Sequence, residues 1–126
     1  MCRGGGSTLI INGGFHLGPT SVVSCTKKIT IGKDVAVSWD SIIWDADGHF
    51  IYDKETKERL NPFKPITIGN HVWIGCNVCI AKGSIIKDNS IIASYSKVTH
   101  KLDSENAIYA GNKKVKDNIE FTWIER

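Results

Sequence analysis

"IGNHVWIGCNVCIAKGSIIKDNSIIASYSKV", residues 68 to 98, places an aliphatic at every sixth position: Ile68, Ile74, Ile80, Ile86, Ile92 and Val98. Four residues after the first five stand Val72, Val78, Ser84, Ser90 and Ser96, all small or β-branched. The residue after an aliphatic is often small, as at Gly69, Gly75, Ala81 and Ala93. Six is not a helical period, and it is longer than simple strand alternation. It suits a short strand followed by a turn, repeated. Three such units close one triangular coil, and stacked coils make a parallel β-helix. The aliphatic points into the prism, and by alternation so does the residue two positions before it. That inner position lies near a corner and must be small. Glycine or alanine serves where the chain turns tightly.

The same step runs backward through Ile31, Val37 and Ile43, then through Ile11, Leu17 and Val23, with the phase slipping by two between Val23 and Ile31. The residue before each aliphatic should point outward. Those positions hold Trp73, Cys79, Ile85, Ile91 and Lys97, with Ala36 and Ile42 earlier. Burying a large apolar side chain is worth about 1.5–3 kcal/mol. An outward apolar strip therefore predicts that prism packs against prism, a covering loop or tail being the plainer alternative.

The bulk numbers fit one soluble domain over residues 1–126, with 41% apolar and 23% charged residues. No apolar run is long enough for a membrane span or a signal-peptide core, so a cytoplasmic location is expected. The net charge of +3 suits an anionic small molecule better than a nucleic-acid groove. Of the cysteines, Cys2, Cys25, Cys76 and Cys79, only the last two form a C-x-x-C, and no second close pair completes a zinc site. No metal is expected. The repeat breaks after Ile43 and resumes near Ile66, leaving a protruding loop over about 45–65 that begins "WDADGH". Long loops within compact repeats usually carry function. Asp45, Asp47 and His49 stand there at alternate positions.

"PITIGNHVWIGCNVCIAKGSIIKDNSIIASYSKVTHKL", 65 to 102, resembles the hexapeptide-repeat acyltransferases, a family of left-handed β-helices. It is similar to the galactoside and maltose acetyltransferases and to the capsule, colanic-acid and lipopolysaccharide O-acetyltransferases. The resemblance implies an all-β, left-handed parallel β-helix of about four coils with a short C-terminal tail. It implies acetyl-CoA as co-substrate, a saccharide or nucleotide-sugar acceptor, and a homotrimer with sites between subunits. On that resemblance His49 is the general base, and Asp45 or Asp47 holds its imidazole in the useful tautomer. The backbone amide of Cys76, after "WIG", serves the oxyanion. Trp73, Cys76, Ala93, Ser94, Thr99, His100, Lys114 and Lys116 fall where the family binds coenzyme A.

The chain also departs from the family. Tyr95 and His100 replace a glycine and a lysine, and "GNKKVK" replaces the usual tail. The start, "MCRGGGST", reads as short or truncated. Besides O-acetylation of a saccharide, two alternatives stay open: N-acetylation of an amino-sugar nucleotide, and a non-catalytic trimeric relative. His71 reads as surface or interface, and "KETKERL", 54 to 60, as a solvated loop.

Overall fold

The computed structural model describes residues 6–125, so Cys2 lies outside the described residues. Among the described residues there is no helix, and none therefore long and apolar enough to cross a membrane. The described residues form fourteen short strands, and the first thirteen wind into a triangular prism. The first face stacks β1 (Thr8–Ile11), β4 (Lys28–Ile31), β7 (Ile66–Ile68) and β10 (Ile85–Ile86). The second stacks β2 (His16–Leu17), β5 (Ala36–Val37), β8 (Trp73–Ile74), β11 (Ile91–Ile92) and β13 (Ile108–Ala110). The third stacks β3 (Val22–Ser24), β6 (Ile42–Trp44), β9 (Cys79–Ala81) and β12 (Lys97–Val98). All these pairings are parallel. A final strand, β14 (Lys113–Lys116), adds antiparallel to β13 and closes the far end of the second face. Four complete coils and most of a fifth result.

The six-residue period is realised as register. Ile31, Ile68 and Ile86 stand over one another, as do Val37, Ile74 and Ile92, and Ile43, Ile80 and Val98. Each is buried, and together they fill the prism. The inner corner positions are buried as expected, and the structure shows why serine serves there. Ser41 Oγ donates to the Gly75 carbonyl at 2.9 Å and accepts the Val78 N–H at 3.0 Å. Ser84 Oγ donates to the Val98 carbonyl at 3.0 Å, and Ser96 Oγ accepts the Gly111 N–H at 2.9 Å. A hydroxyl at this depth satisfies corner amides and carbonyls that the strands leave unpaired. Ile29 and Ile66 hold the equivalent place on the first face and are fully buried, so small size is not required at every corner.

The turns use left-handed backbone. Asp34, His71, Asn89 and Asn106 have φ between 52° and 59° at the first corner, and Asp40, Asn77 and Tyr95 lie at φ 54–64° at the second. Asp and Asn tolerate this region, whereas a tyrosine there is uncommon. Gly75 has another reason to be glycine: a Cβ would come within 2.7 Å of Ser94 N and Oγ.

The two-residue phase slip is also explained. Ile11 pairs with Ile31 but Ile68 with Ile86, so the first coil is longer by two residues. The surplus sits at the third corner, in the "CTKK" turn between β3 and β4.

Candidate active site

The long loop leaves from that same third corner, one coil later. Asp45, directly after β6, turns back into the prism and is fully buried. Its Oδ1 accepts the Thr26 N–H at 2.7 Å, and its Oδ2 accepts those of Lys27 and Lys28 at 2.7 and 2.8 Å. This carboxylate builds the slipped corner. Gly48 then passes over the Trp44 ring at φ 87°, where a Cβ would lie 2.8 Å from Cη2. Past this close approach His49 emerges, exposed.

The rest of the loop is a small hairpin and not merely a solvated excursion. Tyr52 bridges Arg59 antiparallel, and the Leu60 N–H donates to the Ile51 carbonyl at 2.7 Å. Asp53 Oδ1 accepts the Glu55 and Thr56 N–H groups at 2.9 and 2.8 Å. These amides, Thr56's foremost, hold the Asp53 carboxyl below its usual range. The Arg59 guanidinium sits 4.7 Å from the Phe50 ring centre and 4.4 Å from that of Phe63. Such cation–π contacts are worth about 0.5–2 kcal/mol each, more as the cation is withdrawn from water. "KETKERL" forms the tip and second limb of this hairpin.

At the loop's neck stands Asn61, which sequence reading missed. It is 6% exposed. Its Nδ2 donates to Asp47 Oδ2 at 3.1 Å and to the His49 carbonyl at 2.8 Å, while Oδ1 accepts the Ile51 N–H at 2.7 Å. Lys82 Nζ completes the neck, donating to Asp47 Oδ2 at 2.6 Å and to the Pro62 carbonyl at 3.2 Å. The Lys82 ammonium, hydrogen-bonded to Asp47, lowers that carboxyl's pKa. Among the described residues neither aspartate hydrogen-bonds the His49 imidazole, and the ring makes no hydrogen bond at all. The expectation that Asp45 or Asp47 holds the ring directly is corrected within one subunit: Asp45's oxygens face the corner, and Asp47 faces Lys82 and Asn61.

Apart from Trp73, the residues expected around coenzyme A fall into three groups. At the second corner, Cys76 N–H donates to Ser94 Oγ at 3.1 Å, and Ala93 and Tyr95 flank that serine. Tyr95 is 79% exposed. At the third corner, Thr99 and His100 follow β12; Thr99 N–H donates to Asn112 Oδ1 at 3.0 Å, and Thr99 Oγ1 lies 3.2 Å from His100 Nδ1. Lys114 and Lys116 lie on β14. Lys114 is paired with Asp117 at 3.0 Å, which raises its pKa, and Lys116 is exposed. One prism thus brings Cys76 and Ser94 together, but it leaves His49 on a different corner from both.

Trp73 points outward from β8, as predicted, and is partly covered by the chain's own end. The tail returns along the first corner: Ile119 N–H donates to the Asn106 carbonyl at 2.9 Å, and Trp123 Nε1 donates to Asp34 Oδ2 at 2.9 Å. Phe121 stacks on His71 with ring centres 4.1 Å apart and lies 6.2 Å from Trp73. For this part of the apolar strip the tail is a cover, and His71 is a stacking partner. The "EFTW" aromatics were visible in the sequence, but nothing local told where they go. Between tail and prism a cleft of about 740 Å³ opens, lined by His71, Asn89, Asn106 and Phe121, away from His49.

These features define a class. Residues 65–100 match the bacterial transferase hexapeptide family (six repeats), and the chain is a hexapeptide-repeat, left-handed β-helix protein. More particularly, it is 50% identical over 56 residues to the polysialic acid O-acetyltransferase of Neisseria meningitidis, covering 44% of this chain and 26% of that one. It is 33% identical over 106 residues to the galactoside O-acetyltransferase of Escherichia coli K12, covering 84% and 51%. The crystal structure of the polysialic acid O-acetyltransferase OatWY superposes with a TM-score of 0.84 at 34% identity, covering 94% of this chain and 57% of that one. The chain thus spans from about a quarter to just over half the length of these relatives.

Proposed function

We propose that the protein moves an acetyl group from acetyl-CoA directly onto a saccharide hydroxyl, in the cytoplasm, at sites shared between copies of a homotrimer. The observation that carries this reading is the presentation of His49. Its backbone is fixed by Asn61, its imidazole is exposed and makes no hydrogen bond among the described residues, and it stands at the mouth of a loop tied to the prism. Its relatives' names as polysialic acid and galactoside O-acetyltransferases support the reaction class.

In this reading His49 takes the proton of the acceptor hydroxyl as that oxygen attacks the thioester carbon, and gives it to the coenzyme A sulfur as the carbon–sulfur bond of the tetrahedral intermediate breaks, releasing the thiol. The Cys76 N–H of a neighbouring copy donates to the developing oxyanion, releasing Ser94 Oγ. Direct transfer needs no acyl-enzyme, so the Cys76 thiol has no covalent role. The acyl donor supplies the activated thioester. Trp73, Cys76, Ala93 and Ser94 would hold its arm, with Thr99, His100, Lys114 and Lys116 toward its charged end. Because His49 and Cys76 lie on different corners, completing the site in this reading requires a second prism.

One observation favours the non-catalytic alternative: the Cys76 amide is already engaged by Ser94. Calorimetry with acetyl-CoA on wild type and His49→Ala, followed by thiol release with a panel of sugars and amino sugars, separates the readings. Binding by both proteins with turnover only in the wild type supports the transferase, and amine-only acceptors would shift it to N-acetylation. No binding by either, or a monomer in light scattering, overturns it.

A further inference from the structure

We infer that Asn61 is the positioning residue for His49, and that Asp47 and Lys82 support it in that role. The inference rests on the reading of His49 as the base. A histidine on a loop cannot serve as a general base unless its backbone is held, because proton transfer depends on distance and direction. Among the described residues, the His49 backbone is held by one hydrogen bond, from Asn61 Nδ2 to its carbonyl at 2.8 Å. The second Nδ2 proton goes to Asp47 Oδ2, and Oδ1 takes the Ile51 N–H. One side-chain amide therefore grips the chain two residues before His49, at His49 itself and two residues after it.

The chemistry of an amide is required here. The Ile51 contact needs an acceptor, and the other two need donors. No carboxylate, hydroxyl or ammonium offers both kinds in this planar arrangement. The grip is also anchored. Lys82, from the corner after β9, holds Asp47 on one limb of the loop and the Pro62 carbonyl, beside Asn61, on the other. Two coils thus act on the histidine through a single buried side chain.

Asn61→Asp tests this, since it keeps the shape and the acceptor and removes both donors. Thiol release from acetyl-CoA, alone and with polysialic acid or methyl galactoside, is read beside His49→Gln and the double variant Asp47→Asn/Asn61→Asp. The expected result for Asn61→Asp is a kcat lower by roughly 10- to 100-fold with the KM for acetyl-CoA within about twofold, and a broadened or doubled imidazole signal in histidine-labelled NMR spectra. In the double variant the amide and carboxylate change places. The neck contact can re-form, but the His49 carbonyl still lacks its donor. Its thermal midpoint should therefore return toward wild type while kcat stays low. Recovery of both would show that Asn61 only closes the loop, and would overturn the inference. So would a wild-type kcat in Asn61→Asp with His49→Gln inactive, a result that leaves the base intact. Full activity in His49→Gln would sink the underlying reading instead. If none of the acceptors turns over, an unchanged imidazole signal in Asn61→Asp overturns the inference and a changed one supports it.

Discussion

The third corner of the prism is interrupted twice in adjacent coils, and the two interruptions behave oppositely. The two extra residues between β3 and β4 are absorbed inward: three amides turn to one buried carboxylate, and the ladder above and below stays in register. The longer excursion after β6 is turned outward, folds into its own hairpin and ends up presenting a bare imidazole. They are joined by Asp45, which belongs in sequence to the long one and in space to the short one. The protein thus places an exposed candidate group immediately beside a corner held by a fully buried carboxylate. The outward hairpin gains a fixed origin in this way.

The largest effect should separate the two directly. His49→Ala should lower the rate of thiol release by about 10²- to 10⁴-fold and leave the urea midpoint unchanged. If stability falls with activity, the outward loop is not independent of the prism. Asp45→Ala should do the reverse. Leaving three corner amides without their shared acceptor costs about 3–5 kcal/mol, to be seen as a lowered urea midpoint, while acetyl-CoA affinity in the surviving folded protein is unchanged.

These two aspartates also show what the sequence made legible. The step from Ile68 to Val98 announced the prism because every sixth residue meets the same burial, and that demand repeats often enough to stand above composition. The loop and its histidine were legible for the complementary reason: the repeat stops there. The roles of Asp45 and Asp47 were not. Asp45 answers amides about twenty residues away in another coil, and Asp47 answers Lys82, one coil further on. Alternation within "DADGH" carries no trace of either partner. Asn61, before a proline, reads as ordinary loop chemistry until its three contacts are seen together.

A smaller effect sharpens the contrast within the ladder itself. Ser41→Ala leaves the buried Gly75 carbonyl and Val78 N–H unpaired, and should cost about 1–3 kcal/mol in urea unfolding. Equality with a surface substitution would mean that water reaches this corner.

The smallest effect belongs to the exposed neck. Lys82→Met should change stability by less than about 1 kcal/mol at neutral pH, because Asp47 is solvent-accessible. The Asp47 carboxyl has a lowered pKa when folded, so its contribution is complete above the unfolded value of about 3.9 and fades as pH falls below it. Wild type and Lys82→Met should therefore converge in stability below that pH, and a difference that persists there would assign the effect to the lysine stem.

The sharing of Asp45 between two interruptions also has a consequence for inheritance. A chain that loses the two surplus residues of the "CTKK" turn no longer offers Asp45 its amides and is left with a buried carboxylate and nothing to hold. A chain that loses Asp45 keeps the surplus and strands its amides. Neither change survives easily alone. Across related sequences the lengthened turn and the aspartate four residues before the histidine should be gained and lost together, as one heritable unit split by about twenty positions.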